Sequence, residues 1–177
     1  LDIKNNNNIK TIVRTAVATV TSQVREQTYK ENEDVFKGYE WNSTLDSRVR
    51  PEHLLLDGSE WDLNGKGLNE KGKKYKFRKS PDGWNCRCLL LPITKSFKEL
   101  GLDIDEIPVG TRSSIDGYVS RDLSASDWFE NKSKTFQKEY LGKGRFELYK
   151  KGTITLSDLL NQQGRYLSLK ELKEKYS

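Results

Sequence analysis

Two cysteines and one histidine are the side chains of this 177-residue chain best suited to metal or nucleophile chemistry. Both cysteines fall in PDGWNCRC (81–88), with Arg87 between them. Read as part of a strand, WNCRCLLLPI (84–93) puts Cys86 and Cys88 on one face and Arg87 on the other. Two thiols on one face are half of a metal site, where zinc takes thiolates at about 2.3 Å. They equally suit small buried hydrophobes or reactive thiols. A disulfide between them would be strained, because same-face Cβ atoms lie well beyond the usual ~3.8 Å. His53 is the natural third donor, and Asp57, one helical turn later, can orient or complete the set. His53 with Asp46 or Asp57 also has the groups for acid–base work, but no nucleophile or substrate-cradling motif accompanies them. No phosphate loop, dinucleotide fingerprint or nucleophile elbow occurs.

A second set of residues could meet an anion. From Asn64 to Lys79 the chain carries seven Lys/Arg against one acid, Glu70. Lys73, Lys74, Lys76, Arg78 and Lys79 are candidate contacts for nucleic-acid phosphates. The alternative is a solvated hairpin whose charge serves solubility. KYKFR alternates charge and ring like an edge strand, and Tyr75 and Phe77 are expected to pack inward rather than stack on bases. The formal charge of +5 and pI near 9.1 favour polyanions only mildly.

The elements that must position these groups read as an α+β protein. Asn5 to Asn8 form an expected flexible tail over 1–8. Ile9, Ile12, Val13, Ala16, Val17, Val20 and Val24 then recur at helical spacing with one apolar stripe. Its β-branched residues lower helix propensity, so packing must hold it. Tyr39, Trp41 and Ser43 alternate as in a half-buried strand. Pro51 opens a short helix, PEHLLLD, stopped by Gly58. A basic loop covers 59–80, and a small antiparallel or mixed sheet forms around the WNCRC strand, which ends near Pro92. The core domain is read as 9–123. A helical segment, 124–177, follows: a helix over 126–142 capped by Ser126, another from Gly144 to Lys151, and a last one opened by a Ser168/Glu171 capping box. Nothing reaches the roughly 18 apolar residues of a membrane span. Two cysteines form no disulfide framework, which suits a reducing compartment. No secretory signal opens the chain, and Leu1 is no initiator, so it reads as a piece of something longer.

In order and spacing, W-x-S-T-x-D-S-R-V-R-P-x-H-x-x-L-D-G (41–58) followed by P-D-G-W-N-C-R-C (81–88) resembles the phage head morphogenesis family of Mu F-like minor head proteins. LGKGRFELYKKGTITLSDLL (141–160) and GRYLSLKEL (164–172) resemble its C-terminal segment, so the likeness spans roughly 10–172. Some relatives carry a C-x-x-C after the D-x-R and a later H-P-x-C-R-C, a four-ligand metal pattern. Here Arg50 and His53 stand at the first pair, and Gly83 at the later histidine. The resemblance therefore implies either one structural zinc on His53, Cys86 and Cys88, or a dry site filled by Arg50 paired with Asp46 or Asp57. In both cases Asp46, Arg48, Arg50, His53, Asp57, Cys86, Arg87 and Cys88 form a structural centre, with Arg48 and Arg87 as forks onto carboxylates or carbonyls. The implied role is non-enzymatic: a minor protein of the virion head interior, made in the host cytoplasm, with the portal or major capsid protein and phage DNA as partners and no membrane. The rival is a toxin-like nuclease or ADP-ribosyltransferase built on Ser43, Thr44, Asp46, Arg48 and His53.

Overall fold

The computed structural model describes residues 3–108, 110–161 and 163–176. The fold is α+β, and the chain divides into two units: 1–43 with 58–108, and 44–57 with 109–177. The segment 44–57 thus interrupts the first unit between two of its strands and belongs to the second.

The first unit opens with helix α1, Ile3–Glu31. The helix takes in Asn5 to Asn8, read above as a flexible tail; Leu1 and Asp2 lie outside the described residues. Strand β1, Phe36–Asn42, is the middle of a three-stranded antiparallel sheet of order β2-β1-β3, with β2 at Glu60–Asp62 and β3 at Leu89–Thr94. The register pairs Tyr39 with Trp61 on one side and with Pro92 on the other. Because β3 is an edge strand, it tolerates Pro92 inside it and runs on to Thr94. The basic stretch contains a short helix, α3 (Glu70–Lys74), and the KYKFR run, expected as an edge strand, is irregular beyond Lys74. Asn69 caps it, accepting the Gly72 N–H at 2.8 Å and donating to the Gly58 carbonyl at 2.8 Å. Gly72 is required there: a Cβ would stand 1.8 Å from the Glu60 carbonyl oxygen. Tyr39, Trp41, Trp61 and Tyr75 form the buried centre, and Phe77 packs its ring 5.7 Å from Tyr39 and 5.6 Å from Trp61. Tyr75 and Phe77 therefore pack inward, as expected.

The stripe on α1 does not. Thr11, Thr15, Ala18, Thr19, Ser22, Glu26 and Tyr29 form the sheltered face of the helix. Ile9, Ile12, Val13, Val17, Val20 and Val24 lie on the open face, with Val17 and Val24 each 61% exposed. Periodicity identified the stripe, but burial went to the polar face, where Thr11 and Thr15 accept hydrogen bonds from Asn85.

In the second unit, α2 (Pro51–Leu56) buries His53, Leu54, Leu55 and Leu56. Strands β4 (Thr111–Ser114) and β5 (Gly117–Ser120) form a hairpin, and Leu45 bridges to Ser114. The expected helix over 126–142 is two: α4, Ala125–Glu130, and α5, Lys134–Leu141, each with its own serine cap, Ser124 and Ser133. The second cap competes with helix continuation and stops the first helix at Asn131. Gly142, at φ +76°, turns the chain into α6, Lys143–Lys150. A 3-10 turn at Leu156–Leu159 and α7, Leu169–Tyr176, complete the unit. The α7 box is present: Ser168 Oγ accepts the Glu171 N–H, and Glu171 accepts the Ser168 N–H at 2.8 Å. Phe129, Phe136 and Tyr140 form a ring cluster, with Phe129 5.3 Å from Tyr140 and Phe136 stacked on it.

Candidate structural centre

Segment 44–57 is ordered from its own side chains. Asp46 Oδ1 accepts the backbone N–H groups of Arg48 and Val49, at 2.8 and 3.0 Å. This turn delivers Arg50 in extended backbone and Pro51 at the first helical position, where its missing N–H costs nothing. Arg50 Nη1 lies 3.2 Å from His53 Nε2. A guanidinium only donates, so Nε2 accepts and the ring proton of a neutral His53 sits on Nδ1. Asp57, 2% exposed, takes a two-pronged bond from Arg112: Nη1 to Oδ2 at 2.9 Å and Nη2 to Oδ1 at 2.7 Å. Tyr140 also donates to the Val49 carbonyl at 2.9 Å. Arg112 was missed from the sequence. It lies 55 residues from Asp57 in the strand TRSS, and no spacing signal joins them.

The cysteines belong to the first unit, whereas His53 belongs to the second. Cys86 and Cys88 are not in a strand, contrary to expectation. They occupy the irregular run before β3, so strand alternation does not govern them. The cause is Asn85, whose φ of 54° turns the chain left-handed just before Cys86. Two threonines of α1 hold this turn: the Asn85 N–H donates to Thr15 Oγ1 at 3.2 Å, and its amide donates to Thr11 Oγ1 at 3.3 Å. Cys88 is buried, and its carbonyl accepts a short hydrogen bond from the buried Ser80 hydroxyl. Cys86 is half-buried, and neither cysteine forms a disulfide among the described residues.

His53 is engaged by Arg50 within its own unit. Ser43 is likewise engaged, accepting from Trp41 Nε1 at 3.0 Å.

The basic stretch is extensively partnered. Lys73 pairs with Glu70 at 2.8 Å, Arg78 with Asp82 at 2.9 Å and Lys79 with Glu26 of α1 at 3.0 Å. Lys74 lies over the Tyr75 ring. Burial by itself would raise the Glu26 carboxyl, but hydrogen bonds from Lys79 and Lys30 hold it below its ordinary value.

Among the described residues, no helix is long and apolar enough to cross a membrane. No curated protein and no solved structure matches the chain. A family model described as phage Mu protein F like protein matches residues 2–91, from α1 into β3, and so takes in both motif stretches, 41–58 and 81–88. The C-terminal segments that resemble the family lie outside that match. Half of the chain, with both of its motif stretches, therefore places it in the phage Mu protein F like family.

Proposed function

We propose that the chain is a structural component of the phage head that docks through α1 onto the portal or major capsid protein. Family membership supports head morphogenesis; the outward face of α1 supports the docking. Residues 15–24 contain no charged residue, in a chain that is 32% charged. Val17, Val20 and Val24 each leave about three-fifths of their surface open. A contiguous aliphatic rod of this kind marks a surface meant for another protein. The flanks of the stripe, Ala16, Thr21 and Gln23, are small or neutral, and suit an apolar helix or groove on a neighbouring head protein.

The engagement of Ser43, Asp46 and His53 by Trp41, backbone amides and Arg50 supports a structural over a catalytic role for them. The site of the resemblance is proposed to be dry, with Arg50 rather than a metal against His53.

The docking is tested by Val17→Asp with Val20→Asp, followed by mass spectrometry of purified particles. The variant should keep its melting temperature and be depleted from heads. Undiminished incorporation would remove α1 as the docking element.

A further inference from the structure

A second basic surface lies in the second unit, away from the stretch that the sequence marks. Lys134, Lys138, Lys143 and Lys150 line one open groove of about 610 Å³, floored by Phe146, with Glu139 as its one acid. The geometry behind this is regular. Lys134 and Lys138 are four residues apart on α5, and Lys143 and Lys150 are seven apart on α6, so each pair shares one face of its helix. Gly142 folds the two helices together and brings both faces to the same groove. None of the four makes an ion pair among the described residues, and all four are exposed. By contrast, Lys132, just before α5, pairs with Asp116, and Arg145 of α6 lies over the Tyr166 ring.

We propose that this groove binds the phosphodiester backbone of a nucleic acid without reading sequence. Lysine ammoniums are point charges suited to phosphate, and no guanidinium fork lines the groove to read a base edge. The Lys134–Lys138 pair advances about 6 Å along α5, close to two phosphates of one strand at about 3.4 Å each. An open groove with charges on two walls fits a polymer better than a single enclosed phosphate. The inference stands apart from the head-protein reading, which its failure would leave intact.

The test is fluorescence anisotropy of the full chain with a labelled random-sequence DNA duplex at 50 to 200 mM salt. The variant Lys134→Gln/Lys138→Gln/Lys143→Gln/Lys150→Gln should bind at least about tenfold more weakly, and its log–log salt slope should fall by about 3 to 4. Lys73→Gln/Lys74→Gln/Lys76→Gln should bind nearly as wild type. Millimolar tripolyphosphate, a compact anion, should compete poorly. Equal binding by wild type and the fourfold variant, loss of binding in the loop variant instead, no binding at 50 mM salt, or full displacement by tripolyphosphate would each overturn the proposal.

Discussion

Segment 44–57 and the turn 80–88 read as two halves of one centre, yet different forces order them. The first is organised by charge: a carboxylate on backbone amides, a guanidinium on an imidazole, and the buried Asp57–Arg112 fork. The second adds neutral hydrogen bonds to one half-exposed ion pair, Arg78–Asp82: Ser80 to the Cys88 carbonyl, and Asn85 to two threonines of α1. The lesson is that a motif compact in sequence need not be a single physical device. Its parts should respond differently to charge removal, to chelation and to acid.

The largest effect is expected at Asp57. Asp57→Ala leaves the Arg112 cation without its carboxylate in a buried setting, which costs about 3–5 kcal/mol. Arg112→Ala should cost a similar amount, and the double variant clearly less than the sum. Chemical denaturation of the three proteins checks this, and strict additivity would break the charged side of the comparison. A smaller loss, about 1–3 kcal/mol, is expected for Cys88→Ser, because a hydroxyl replaces a buried thiol. Adding a chelator to the wild type should change nothing, and elemental analysis should find no stoichiometric zinc. A stoichiometric metal would instead reunite the two segments chemically. The smallest effect concerns acid. Hydrogen bonds from Arg165, then Ser168, hold the Glu171 carboxyl down from 4.5 to about 2. Its contribution is therefore full above about pH 4.5 and is lost as pH falls toward 2. Glu171→Gln should flatten that part of the stability–pH curve and leave the neutral range little changed.

Local rules carried well where one element decides the outcome. Pro51 and Gly58 bounded α2, the alternation around Trp41 gave β1, and Ser168 with Glu171 opened α7. They failed where a distant partner decides. Nothing near Arg112 announces Asp57, and nothing in NCRC announces that Thr11 and Thr15 will draw Asn85 into a left-handed turn. The α1 stripe shows a subtler limit. Its period was right, but an apolar face is buried only if something is there to cover it. Charge density misled in a related way. The dense run at 64–79 has largely found partners, whereas four lysines spread over 134–150 converge in the folded hairpin and do not.

The reversed polarity of α1 separates two duties that most amphipathic helices combine. Threonines and Tyr29 anchor the helix to its own unit, while valines and isoleucines look outward. Substitutions among the aliphatic residues can thus change the outward surface without disturbing how the helix is seated. On the docking proposed above, a lineage would change assembly partners by drift along a single face while the underlying architecture stays the same.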